Sequence, residues 1–139
     1  MSFLWSLIAT LKTQLQDAIG RYSSNPVFIP TGAGTTTLYT ITLTSGLTYT
    51  CHTHAVVREN VTGTPYIHDS IKMWSVSDVG VVSETNLQTL SSPSNLVTTV
   101  TGTNSVTIVC AQDATNTRQA NCYVEVHSHT GAVAVVTGG

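Results

Sequence analysis

Charge is scarce in this sequence. Only 9% of its 139 residues are charged, against about a quarter in an average soluble domain. Lys12, Arg21, Arg58, Lys72 and Arg118 stand singly, and the net charge is -2. Phosphate backbones are held by clustered cations, so nucleic acid is not an expected partner. Long apolar runs are also missing. No stretch approaches the roughly 18 apolar residues of a membrane-spanning helix, and no membrane association is expected. The opening "MSFLWSLIATLKTQLQDAIG" has no positive leading region, is interrupted by Ser6 and Thr10, and runs into no small-residue cleavage site. It reads as part of the fold rather than as an export signal. The cysteines are Cys51, Cys110 and Cys122. An odd number does not close a disulfide framework. Each sits among apolar strand residues, so buried thiols are expected. Catalytic signatures are absent as well. There is no Gly-x-Ser-x-Gly, His-Glu-x-x-His or P-loop pattern, and "TGAGTTT" lacks both the lysine and the following helix. The carboxylates fall mostly in turns or alone. Neither an enzyme activity nor a cofactor is expected.

What the sequence has in abundance is serine and threonine, which together make up about 28% of it. The hydrophobic fraction is 41%, enough for one domain with a true core. A hydroxyl-rich, charge-poor surface suits a protein packed against neighbours in an assembly, because freely diffusing proteins stay soluble largely through charge.

Three segments follow from the patterning. In residues 1–20, Leu4, Leu7, Ile8, Leu11, Leu15, Ala18 and Ile19 recur three and four apart, the period of an amphipathic helix. Ser2 is a natural N-cap and Gly20 a natural stop. The stripe Leu4, Leu7, Ile8, Leu11 and Leu15 either lies on its own domain or packs against copies of itself or a partner. Residues 21–36 carry Pro26, Pro30 and "GAG" and read as a linker, which makes the helix an arm. From residue 37 to 139 the period falls to two. Leu47, Tyr49, Cys51, Thr53, Ala55 and Val57 share one face, and Thr48, Thr50, His52 and His54 share the other. Short strands at about ten-residue spacing, with turn signals between them, predict a mainly β chain: an antiparallel β-sandwich, jelly-roll-like, preceded by one N-terminal α-helix.

Four of the five histidines lie in two His-x-His pairs, His52 with His54 and His127 with His129. Both pairs fall on polar strand faces, and neighbouring strands would gather them on one patch. Neutral imidazoles bind transition metals well, and a trimer with one pair from each chain on its axis would offer six nitrogens to one ion. A solvent-facing strand that carries two histidines is the commoner origin of the pattern, and no bound metal is expected. Tyr66, Trp74 and Tyr123 are candidate stacking platforms for a glycan.

The stretch from about 35 to 130 resembles a β-sandwich domain of tailed-bacteriophage structural proteins. The resemblance rests on "GAGTTTLYTITLTSGLTY", "THAVVREN", "TGTPYIHDSIKMWSV", "LVTTVTGTNSVTIVCAQ" and "NCYVEVHSH". Members often carry Trp in the closing strand, where this chain has Tyr123. The resemblance implies a virion component, often a homotrimer, and the family spans capsid decoration, head-fibre and tail-fibre parts. The resulting expectation is a decoration (cement) or head-fibre protein that oligomerises or attaches through its helix, with other virion proteins such as the major capsid protein as partners. The alternative is a tail-fibre or tail-appendage component that binds host-surface glycan.

Overall fold

The computed structural model describes residues 2–23, 26–92 and 96–138. Helix α1 (Ser2–Ile19) comes first, then ten strands. Gly20 ends the helix with φ +66° and its N–H on the Gln16 carbonyl. Its own carbonyl accepts from the Val126 N–H at 2.7 Å. A Cβ at this position would strike the Val126 carbonyl, so glycine both stops the helix and lets the chain join the sheet.

The strands are β1 (Arg21–Ser23), β2 (Val27–Ile29), β3 (Thr35–Thr42), β4 (Thr48–Glu59) and β5 (Pro65–Val76), followed by β6 (Val82–Ser92), β7 (Val97–Gly102), β8 (Ser105–Ala111), β9 (Arg118–Ser128) and β10 (Val135–Gly138). They form two antiparallel sheets. One runs β1-β9-β4-β5-β6, with β2 also on β9, and the other β10-β3-β8-β7. Side chains from both sheets make one core, in which Tyr49, Cys51, Ala55 and Val57 of β4 meet Leu38 and Ile41 of β3 and Val106 and Ile108 of β8. The predicted β-sandwich behind one helix is what forms, and the inward row of β4 is the predicted one.

Residues 21–36 are more than a linker. They hold β1 and β2, both hydrogen-bonded to β9, and they send Tyr22 and Ile29 into the core. Each strand is three residues long, too short for a period to show, and Pro26 lies between them.

Where the sandwich is open at one side, a polar cluster closes it. Lys72 and Trp74 of β5 point inward toward Glu84 of β6 and Thr99 of β7. Lys72 Nζ lies 3.0 Å from Glu84 Oε1 and 2.8 Å from Thr99 Oγ1. Trp74 Nε1 donates to Glu84 Oε2 at 2.8 Å, and Thr99 Oγ1 donates to the same carboxylate. At the far end of the sandwich Arg118 bridges the sheets. It donates to the Ala111 carbonyl of β8 and pairs with Glu59 of β4.

Candidate functional site

Two surfaces stand out. The first is α1. Leu4, Leu7, Ile8, Leu11 and Leu15 are all exposed, as are Phe3 and Trp5. Leu4, Ile8, Leu11 and Leu15 follow one another at intervals of four, three and four. Alternating fours and threes are the a/d spacing of a coiled-coil seam, and Trp5 and Leu7 widen it on either side. In proteins most of a helix's stability comes from packing its amphipathic face.

The second surface is the outer face of the larger sheet. Strands β4 and β9 are neighbours, with His54 opposite Tyr123 and His52 opposite Glu125. On the other side β5 sets Asp69 opposite His54. Asp69 holds both imidazoles of the first pair: His52 Nε2 lies 2.9 Å from Oδ1, and His54 Nδ1 lies 2.9 Å from Oδ2. An ionised carboxylate only accepts, so these two nitrogens carry the protons. Burial raises the Asp69 pKa, but the bonds from His54 and His52 outweigh it, and the net shift is downward. Glu125 has three partners. His127 Nε2 lies at 2.8 Å, the Tyr123 hydroxyl at 2.7 Å and Arg21 Nε at 3.3 Å. His127, then Tyr123, then Arg21 hold its pKa down at about 2.

The four histidines therefore do not converge. His52 and His54 share Asp69, and His127 sits on Glu125. His129 lies past the end of β9, where its Nδ1 accepts the Thr48 N–H at 3.0 Å. Among the described residues no group of three or more His, Cys, Asp or Glu has a metal-holding arrangement. The fifth histidine, His68, is on the inner face, with Nε2 3.1 Å from the Ser70 hydroxyl.

The aromatic trio is not one platform. Trp74 is 0% exposed, so it cannot stack on a sugar. Tyr66 is on the same inner side, with its hydroxyl on Glu59 Oε1 at 2.9 Å and the Arg118 guanidinium 5.7 Å from its ring. Tyr123 alone is on the outer face. The cause is the parity of β5, in which Lys72 is inward too. A charged residue in that row made the row look solvent-facing. The cysteines are all buried with no disulfide between them. Burial pushes Cys51 and Cys122 up to about 12 and Cys110 up to about 11, which removes the thiolate a nucleophile needs.

The outer face also carries a groove of about 440 Å³. Its floor is three cross-strand pairs: Arg58 with Gln119, Val56 with Asn121, and His54 with Tyr123. Its wall includes Ser23 and Pro26, where the chain passes from β1 to β2. The sequence did not point to Arg58 or Gln119, since nothing but pairing register brings them together.

The Glu125 cluster gives an acid signature. Its pKa is depressed in the folded chain, so its stabilising contribution is present above the ordinary value of 4.5 and is lost as pH falls toward about 2. Glu125→Gln should therefore lower the urea midpoint at pH 7, and the gap from the parent should close as the pH approaches 2. A gap that is constant with pH would show that the carboxylate charge contributes nothing.

No family model matches this chain. No curated protein matches it either. Among solved structures, it is similar to the tailspike protein of Acinetobacter baumannii phage AM24, at 7% identity and a TM-score of 0.45, over 83% of this chain and 27% of that one. It is also similar to the tailspike protein of Acinetobacter phage vB_ApiP_P1, at 12% identity and a TM-score of 0.48, over 78% of this chain and 22% of that one. The chain thus corresponds to about a quarter of those tailspikes.

Proposed function

We propose that this chain is a structural module of a bacteriophage virion: a β-sandwich carried on a helical arm through which three copies associate. The carrying observation is α1. Its apolar seam is exposed from Leu4 to Leu15, and the alternating four-three spacing fits a second helix of the same kind. Burying Leu4, Ile8, Leu11 and Leu15 between copies would supply the packing from which most helical stability comes. The exposed flanks Trp5 and Leu7 broaden the seam, which favours three helices over two. Scarce charge and plentiful Ser and Thr fit a surface covered by neighbours. The sequence resemblance to tailed-phage structural domains supports the virion setting. Within it the role is capsid decoration or head fibre, with the major capsid protein as the partner of the assembled arm. The role is structural rather than catalytic.

The test is mass by light scattering. The full chain should run as three copies, and Leu4→Glu with Leu11→Glu should run as one, with unchanged β-sheet circular dichroism. A single-copy parent, or a double variant that stays trimeric, refutes the arm. Truncation has to stop before Gly20, because a cut at residue 25 strips β1 and takes Tyr22 out of the core.

A second reading is a tail appendage that binds host-surface glycan. The groove on the outer sheet face favours it, because sugar-sized ligands need concave, partly apolar sites with a few fixed polar groups.

A further inference from the structure

In a chain so poor in charge, three of the five Lys and Arg side chains are paired with carboxylates. Arg21 pairs with Glu125, Lys72 with Glu84, and Arg118 with Glu59 and Asp113. Arg58 is different. Among the described residues no carboxylate lies within ion-pair distance of it, and it is exposed. Its guanidinium lies across Gly63 of the β4–β5 turn, where a Cβ would come within 3.1 Å of Nη2. Gly63 has φ +72°, a conformation that favours glycine.

Arg58 stands at one end of the groove. Four residues along β4, His54 stands at the other, about 13 Å away at strand rise. Between them lie Val56 and the amide of Asn121, while Gln119 faces Arg58 and Tyr123 faces His54. Phe28 adds an exposed ring beside Gln119, which it faces in the β2–β9 ladder. Asp69 holds His54 and Glu125 holds Tyr123, so the two fixed carboxylates are at the His54 end. The groove is therefore polarised, with its positive end at Arg58.

We infer that this groove is a binding site for a carboxylate-bearing saccharide of one or two residues, with its carboxylate on Arg58. The inference rests on the second reading above and narrows it to acidic sugars at a named site. A planar guanidinium accepts a carboxylate in a two-pronged geometry. Val56 and Tyr123 offer apolar surface to the C–H face of a sugar ring, and Gln119, Asn121 and Ser23 offer donors and acceptors to its hydroxyls. A single cation is too few for a polyphosphate chain, and a volume of about 440 Å³ is in the range of small-molecule sites.

The test is an amide-shift titration of the full chain with galacturonic acid and N-acetylneuraminic acid, with galactose as the neutral control. A short peptide with a free C-terminal carboxylate is the competing probe. The expected result is saturable shifts at Asn121 and Tyr123, at concentrations at least tenfold lower for an acidic sugar than for galactose. Arg58→Gln should remove that preference without changing the melting temperature, since Arg58 is exposed and has no ion pair among the described residues. Equal binding of acidic and neutral sugars overturns the acidic class and leaves the saccharide reading standing. No saturable shift with any sugar overturns both. Tighter binding of the peptide replaces the saccharide with a chain terminus.

Discussion

Trp74→Ala should lower the free energy of unfolding by about 3–5 kcal/mol, the range for emptying a buried aromatic site. Trp74 is the largest of the fully buried side chains. It lies where β5 faces the smaller sheet, and truncation leaves a void that neighbouring strands, fixed by their ladders, cannot close. Single domains are stable by about 5–15 kcal/mol in total, so the variant should be close to unfolded at physiological temperature. Urea unfolding followed by far-ultraviolet circular dichroism measures the change. A cost below about 1 kcal/mol, the level of exposed-site substitutions, would mean that the indole is not in the core.

Glu84→Ala should cost about 3 kcal/mol, because it strands several donors together. The indole N–H of Trp74 loses its acceptor inside the core, and Lys72 and Thr99 lose the carboxylate they share. Burial raises the Glu84 pKa, yet the bonds from Thr99, Trp74 and Lys72 outweigh it and the net shift is downward. The carboxylate therefore stabilises the fold above the ordinary glutamate pKa of 4.5 and ceases to do so as pH falls through its depressed value. Glu84→Gln keeps one acceptor oxygen, and its cost should be clearly smaller. The losses from Trp74→Ala and Glu84→Ala should not add, because the two residues share a hydrogen bond. Denaturant midpoints of the two single variants and the double variant give the coupling, and simple additivity would sink the proposed cluster.

Long strands could be read from the sequence because their alternation is enforced by burial. In β4 the inward row Tyr49, Cys51, Ala55 and Val57 is apolar and the outward row is not, so a period of two survives. In β5 the same physics is masked. Its inward row contains His68, Ser70 and Lys72; Glu84 and Thr99 reach Lys72 from other strands, and His68 and Ser70 bond each other. A polar residue satisfied by distant partners looks like a surface residue in one dimension. The outer-face network hides for a related reason. His52 and His54 announce themselves by spacing, whereas their partner Asp69 depends on the register of the β4–β5 hairpin. Arg58 and Gln119 meet only through the β4–β9 register. The helical stripe was legible from Leu4 to Leu15, since it needs nothing beyond its own period, and the side chains of Ala18 and Ile19 lie outside the described ones.

The way α1 joins the sandwich has a mechanical consequence. The arm continues through Gly20 into β1, and β1 and β2 both lie along β9, which is itself laddered to β4 over eleven residue pairs. Tension on the arm therefore reaches the interior of the larger sheet and bypasses its free edge at β6. Antiparallel ladder bonds run perpendicular to the strands, so a load directed along β1 is shared by its bonds together, as in a lap joint, and does not unzip them in turn. A sandwich tethered in this way is anchored for pulling along its strands and weakest to a force that lifts β1 sideways.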